Sequence, residues 1–116
     1  MDAEKKCEII IKALDSKKGL DIRLIKVSDI TSLTEYFVIA AGTSSTQVKA
    51  LAEEAEFQLS QQGVEPHHIE GKSTGWILLD YSDVVVHVLN EQARSFYDLE
   101  RLWADGETMD ISALLS

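Results

Sequence analysis

The residues with the greatest capacity for metal chemistry form a short group of two histidines and a carboxylate, His67, His68 and Glu70. Imidazole and carboxylate are both zinc ligands, but a site needs three or four of them converging on one point. Adjacent residues of an extended segment point to opposite faces, so His67 and His68 do not converge. Since no further cluster of ligand residues accompanies them, the sequence predicts no metal site and no cofactor.

A thiol is the next candidate for chemistry, and the chain has one, Cys7. It lies on the apolar stripe of a predicted N-terminal helix, in phase with Ala3, Ile10, Ile11 and Leu14. A thiol in such a stripe packs as a small apolar side chain, so we expect a buried, structural Cys7 rather than a reactive one. One cysteine allows no intramolecular disulfide, and the N-terminal residues lack the apolar core of a signal peptide. Both observations favour a cytoplasmic protein.

Residues 75–89 (GWILLDYSDVVVHVL) carry the side chains best suited to binding. Two runs of β-branched, aromatic and aliphatic residues flank the polar segment 80–83, which predicts a tight antiparallel hairpin. If Leu79 and Val84 close the turn, Trp76 lies opposite His87, because antiparallel pairing keeps the sum of positions constant. The hairpin is therefore the central element of the predicted fold.

The two faces of this hairpin differ in chemistry. The face predicted to enter the core is aliphatic and carries Ile77, Leu79, Val84, Val86 and Val88. The opposite face carries Trp76, Leu78, Val85 and His87, with Asp80 and Asp83 at its rim. An exposed face of this kind is typical of a binding surface. Two other interpretations stay open: Trp76 and His87 form a packed cross-strand pair, and the aspartates serve the turn through local hydrogen bonds.

The elements around the hairpin predict an α/β fold with a mixed β-sheet and two long helices packed mainly on one face. The predicted order is a helix over 2–17, strands over 20–27 and 36–41, a helix over 44–62, an edge strand near 67–71, the hairpin, a helical turn at 90–94 and a short helix over 96–103. We expect a single domain over residues 1–104. Residues 105–116 are predicted to be an acidic C-terminal tail, partly ordered at best, with Ile111, Leu114 and Leu115 as anchors. Phe57 breaks the apolar stripe of the second helix, and packing by this tail is preferred to an exposed contact site.

Charge narrows the class of partner. The chain has 20 acidic and 11 basic side chains and a formal net charge of −9. Phosphate backbones attract Lys and Arg, so direct binding of nucleic acid through the general surface is disfavoured and a basic protein partner is favoured. Acidity that serves only solubility is the alternative. No apolar run approaches the ~20 residues of a membrane span.

Three blocks of this sequence carry a resemblance that covers about residues 3–106. They are 29–39 (DITSLTEYFVI), 75–88 (GWILLDYSDVVVHV) and 96–103 (FYDLERLW), and they resemble the Iojap family, the ribosomal silencing factors, in the family's order. Two departures are Glu35, where the family usually has Asp, and Ser82, where Gly is common in the turn. Since Ser tolerates a positive φ less well than Gly, the second departure leaves the turn type open.

The resemblance implies a translation repressor without enzymatic activity. Family members bind ribosomal protein L-fourteen on the large ribosomal subunit, block joining of the small subunit and lower translation when nutrients are scarce. The partner-binding residues implied here are Trp76, Leu78, Asp80, Tyr81, His87, Tyr97, Glu100 and Trp103. For Tyr97 and Trp103, a role in anchoring the last helix to the sheet is an open alternative.

Two further classes compete with the repressor. The family is similar in fold to nucleotidyltransferases, and Gly42, Thr43 and Ser44 resemble their phosphate-binding element at a helix N-terminus. The converging carboxylates that metal-dependent phosphoryl transfer needs are missing, because Asp83 is followed at i+2 by Val85. The family also resembles a dimeric scaffold, so the open hairpin face is a candidate for homodimer formation when the ribosome is absent.

Overall fold

The helices and strands form close to the predicted positions. The computed structural model describes residues 1–71, 75–96 and 104–115. The elements are α1 (Ala3–Ser16), β1 (Leu20–Lys26), β2 (Tyr36–Gly42), α2 (Ser45–Ser60), β3 (His68–Glu70), β4 (Trp76–Asp80), β5 (Val84–Asn90), α3 (Glu91–Phe96), β6 (Glu107–Thr108) and a 3₁₀ turn (Ser112–Leu114). Within the described ranges, no helix is both long and apolar enough to cross a bilayer.

The strands form one mixed sheet in the order β3-β4-β5-β2-β1-β6. Strand β2 pairs in parallel with β5, and the other described pairs are antiparallel. Because β2 has a strand on each side and side chains packed on both faces, it reads as a continuous apolar run, YFVIAA. The predicted α/β fold with a mixed sheet is confirmed.

Both long helices begin at a side-chain cap. The carboxylate of Asp2 accepts a hydrogen bond from the Lys5 N–H at 2.8 Å, and the Ser44 hydroxyl accepts one from the Gln47 N–H at 3.1 Å. The Gln47 side chain does not return to Ser44, as a capping box would require. Its Oε1 accepts from the Thr43 N–H instead, and its Nε2 donates to the Lys18 carbonyl at 3.1 Å, which fastens α2 to the α1–β1 turn.

Apolar side chains pack on both faces of the sheet, but unequally. The larger cluster lies between the sheet and α1 and α2, and it contains the buried Cys7, Leu14, Leu51 and Leu59. The burial predicted for Cys7 is confirmed, and its pKa is raised to about 12, chiefly by desolvation. The smaller cluster on the opposite face is Ile25, Val27, Ile39 and Leu89, with Phe37, Trp76 and Ala93 of α3 packed against it. That face is therefore partly covered rather than bare.

The hairpin register differs from the prediction by two residues. Trp76 pairs with Leu89 and Leu78 with His87, whereas the prediction placed Trp76 opposite His87. The turn is closed by Tyr81 and Val84, because the Tyr81 N–H donates to the Val84 carbonyl at 2.9 Å. A shift of two residues preserves the alternation of side chains, so the assignment of residues to the two faces is unchanged.

The C-terminal segment is more integrated than the sequence indicated. Residues Glu107–Thr108 add a sixth strand beside β1, and Ile111 is buried in the larger cluster with Leu114 packed against it. Leu115, the third predicted anchor, is exposed. The packing expected for Phe57 is wrong, because its side chain is 53% exposed. The short helix predicted over 96–103 lies mostly outside the described residues.

Candidate functional site

The face of the hairpin that points away from α1 and α2 carries most of the predicted binding residues. Trp76, Leu78 and Asp80 are partly exposed there, whereas Ile77 and Leu79 are buried toward the helices. This alternation follows from the two-residue period of a strand. The structure therefore brings Trp76, Leu78 and Asp80 onto one surface.

His87 lies beneath this surface rather than on it. It is 8% exposed and is flanked by Phe37, at 5.2 Å between ring centroids, and by Trp76, at 5.9 Å. The indole Nε1–H of Trp76 donates to His87 Nδ1 at 3.2 Å, so the neutral imidazole carries its proton on Nε2. Burial lowers the pKa of His87 to about 4. The packed-pair interpretation of Trp76 and His87 is therefore supported, and the ring of His87 positions the indole.

The turn places Asp80 and Asp83 in different roles. Asp80 Oδ1 accepts from the Ser82 N–H at 2.8 Å, and Ser82 has a φ of 76°, a left-handed conformation that the acceptor stabilises. Asp83 points toward α1 and pairs with Lys6 Nζ at 2.9 Å. Its expected place at the rim of the open face is therefore wrong, while Asp80 lies at that rim.

A shallow groove beside the hairpin turn was not predicted. This hairpin groove has a volume of about 690 Å³, and its apolar lining consists of Ile30, Leu33, Phe37, Leu78 and Val85. Two of these side chains come from the connection between β1 and β2 and are strongly exposed, Ile30 at 47% and Leu33 at 86%. Solvent exposure of this extent in neighbouring aliphatic side chains is typical of a contact surface.

Charge at the hairpin groove is negative. Asp80 and Glu70 line it, and no Lys or Arg does so among the described residues. Glu70 Oε1 lies 2.7 Å from His68 Nε2 on the exposed edge strand β3. A second groove of about 480 Å³ continues past Leu78 and Glu70 to Trp76 and Ala93. The two grooves together form a continuous open face, acidic at one side and apolar along its length.

The partner-binding role of the eight predicted residues stays a prediction, but their placement differs. Trp76, Leu78 and Asp80 are accessible, whereas Tyr81 is 1% exposed in the helix-side core and His87 is almost covered. Tyr81 therefore supports the turn from within, and burial raises the pKa of its phenol. The predicted residues Tyr97, Glu100 and Trp103 lie outside the described part of the chain.

The residues that sequence reasoning missed are Ile30, Leu33 and Phe37. The available signal was a pair of aliphatic side chains inside a connection otherwise made of Ser, Asp and Thr. That composition predicts no more than a polar loop. Apolar residues in a short loop with no helical or strand period were the sign of a surface contact rather than of core packing.

The geometry offers little to a phosphoryl-transfer mechanism. Ser44 is occupied as the cap of α2, Asp80 as an acceptor in the turn, and Asp83 in its pair with Lys6. Among the described residues, no group of three or more His, Cys, Asp or Glu side chains is arranged to hold a metal ion. The arrangement can instead bind a surface that is apolar and basic.

Comparison with known proteins agrees with this picture. The family model described as "Ribosomal silencing factor during starvation" matches residues 1–116. The chain is 32% identical to the ribosomal silencing factor of Halalkalibacterium halodurans over 117 residues, covering 100% of both chains, and 36% identical to that of Bacillus subtilis over 112 residues, covering 96% and 95%. A crystal structure of a Chromobacterium violaceum protein is similar with a TM-score of 0.86 at 39% identity, over 90% of this chain and 88% of that one. The chain therefore belongs to the ribosomal silencing factor family.

Proposed function

We propose that this chain binds the large ribosomal subunit through ribosomal protein L-fourteen and thereby prevents the small subunit from joining. The chain acts as a translation repressor by occupying a surface, and no covalent chemistry is required. The observation that carries this proposal is the open face formed by Trp76, Leu78 and Asp80, which combines exposed apolar area with negative charge in a member of this family.

The electrostatic balance favours a protein contact over an RNA contact. A formal net charge of −9 repels phosphate, so the RNA around a ribosomal protein disfavours misplaced docking. A basic ribosomal protein is attracted to the same field, and opposite charges accelerate encounter and fix orientation. The acidic rim at Asp80 therefore supports both affinity for a basic protein and selectivity against bare RNA.

The apolar part of the face supplies the affinity. Leu78 lies between the two grooves and contributes to both, so a partner that covers the face removes it from water. Fully burying a leucine side chain stabilises a complex by about 1.5–3 kcal/mol, and since Leu78 is already partly buried the lower end applies. A change of about 1.4 kcal/mol corresponds to roughly a tenfold change in affinity.

The test measures binding and subunit joining together. The chain is sedimented with purified large subunits, and light scattering then follows the addition of small subunits. We expect the unmodified chain to sediment with large subunits and to reduce joining, and Leu78→Gln to need about tenfold more protein for the same effect. Phe57→Gln is the matched control, because Phe57 is an exposed apolar residue on α2, on the other side of the sheet.

Two results would contradict the proposal. If the unmodified chain sediments with large subunits but joining is unchanged, the blocking mechanism is wrong. If Leu78→Gln and Phe57→Gln weaken binding equally, the open face is not the contact surface. Urea unfolding of both variants shows whether either substitution has acted through stability.

A further inference from the structure

We propose that the connection between β1 and β2, residues 28–34, is a second wall of the binding surface. In this arrangement the hairpin groove receives an apolar side chain of the basic ribosomal protein, with an Arg or Lys beside it. This inference rests on the proposed function and adds to it a loop that the family-based residues do not include. The occupant is defined by its chemistry: an apolar anchor next to a cation.

The first step is that Leu33 contributes little to the fold. At 86% exposure its side chain makes almost no contact within the described part of the chain, and the neighbouring Ile30 is about half exposed. Single exposed leucines are common on protein surfaces, but these two line the same groove as Phe37 and Leu78. The exposed area is therefore continuous with the open face of the sheet.

The second step is that the loop is held in place by its own hydrogen bonds. The Val27 carbonyl accepts from the Ile30 and Thr31 N–H groups at 3.0 Å, and the Val27 N–H donates to the Glu35 carbonyl at 2.8 Å. The Leu33 N–H donates to Thr31 Oγ1 at 3.1 Å. Because these bonds order the backbone before a partner arrives, binding loses less conformational entropy than it would with a mobile loop.

The loop is also tied to the hairpin that carries the family-based residues. The Glu35 N–H and the Tyr36 N–H donate to the Asp83 carbonyl at 3.0 and 3.2 Å. The loop and the turn therefore form one rigid unit, with the hairpin groove between them. Its volume of about 690 Å³ lies within the range of ~300–1,000 Å³ that is typical of specific binding clefts.

The third step is the polarity of the two walls. Ile30 and Leu33 form an apolar wall, whereas Asp80 and Glu70 place carboxylates in the lining. One oxygen of Asp80 accepts from the Ser82 N–H, and a carboxylate retains further lone pairs that a guanidinium or ammonium group can use. An anionic ligand is repelled here. The groove therefore suits an apolar side chain flanked by a cation on a basic protein.

Leu33→Ser and Ile30→Ser test the apolar wall. Both residues are exposed, so we expect unchanged urea unfolding midpoints. Affinity for purified large subunits is expected to fall about tenfold for Leu33→Ser and further for the double variant, because the apolar area that the partner would bury is lost. Phe57→Ser is the matched control, since it removes an exposed apolar side chain from α2 and is expected to bind as the unmodified chain does.

Asp80→Asn tests the cation. The amide oxygen keeps the acceptor for the Ser82 N–H but removes the charge, so we expect the affinity loss to be large at low salt and to shrink as ionic strength rises. Leu33→Ser is expected to weaken binding by the same factor at all salt concentrations. Equal salt dependence in the two variants would refute the assignment of an apolar and a cationic part.

The outcomes separate this inference from the proposed function. If Leu78→Gln loses affinity while Leu33→Ser and the double variant bind normally, the loop is not part of the surface and the proposed function stands. If the unmodified chain does not bind large subunits, the proposed function fails and the inference fails with it. Binding to isolated ribosomal RNA that equals binding to the purified ribosomal protein would overturn the partner class.

Discussion

The buried imidazole of His87 makes the stability of this protein depend on pH in a definite direction. Burial lowers its pKa from 6.5 to about 4, because the charged form loses its hydration on the covered side of the open face. Between these values the unfolded chain binds a proton that the folded chain does not. The free energy of unfolding therefore decreases as the pH falls from 6.5 toward 4, and above 6.5 this contribution vanishes.

The magnitude follows from the pKa of His87 in the unfolded and the folded chain. A tenfold change in proton affinity corresponds to about 1.4 kcal/mol, so the difference between 6.5 and about 4 amounts to about 3 kcal/mol once the folded form is fully protonated. Between pH 7 and pH 5 the same two values give a loss of about 2 kcal/mol. Against a typical stability of about 5–15 kcal/mol, this loss is large enough to measure.

The assay compares urea unfolding of the unmodified chain and of His87→Gln by circular dichroism at pH 7, 6 and 5. Gln keeps an acceptor for the Trp76 indole but does not titrate. Carboxylates and the exposed His67 and His68 contribute equally to both proteins, so the difference between them isolates His87. We expect the gap between the two proteins to change by about 2 kcal/mol from pH 7 to pH 5. Parallel loss of stability in both would refute the burial argument.

Two further predictions concern the turn and the thiol. Ser82→Gly is expected to raise the free energy of unfolding by about 0.5–1 kcal/mol, because Ser82 is exposed and has a φ of 76°, where a Cβ is strained; a lower urea midpoint would contradict this. The pKa of Cys7 is raised from 9.0 to about 12, so at pH 8 its thiolate fraction is about a thousandfold smaller than in the unfolded chain. Reaction of the native protein with Ellman's reagent should be correspondingly slow, and a rate equal to that in guanidinium would show that Cys7 is accessible.

The sequence was sufficient for the faces of the hairpin but not for its register. Alternation of Trp76 and Leu78 with Ile77 and Leu79 decides which side chains enter the core, and a slip of two residues leaves that decision intact. The register depends on which residues close the turn, and there the polar appearance of segment 80–83 was misleading. Tyr81 is buried and extends β4 on its core side, so the turn is shorter than the polar run.

The loop and the tail could not be derived from periodicity because neither has a helical or strand repeat. The exposure of Leu33 depends on how residues 27–35 close on themselves through backbone bonds, which a propensity argument does not address. The sixth strand arises because β1 offers a free edge to Glu107–Thr108, a long-range pairing with no local signal. Phe57 is exposed because that tail passes beside β1 and leaves α2 uncovered at this point.

The contacts of Trp76 decide which variants can report on binding. Truncating Trp76 removes the hydrogen-bond donor to His87 and leaves a buried ring nitrogen without its acceptor bond, which costs about 1–3 kcal/mol in folding. A loss of ribosome binding in Trp76→Ala would therefore combine a stability effect with any lost contact. Leu33 makes almost no contact within the described chain, so a loss in Leu33→Ser can arise only at an interface. The residue that the family resemblance left unassigned is thus the sharper probe of the surface.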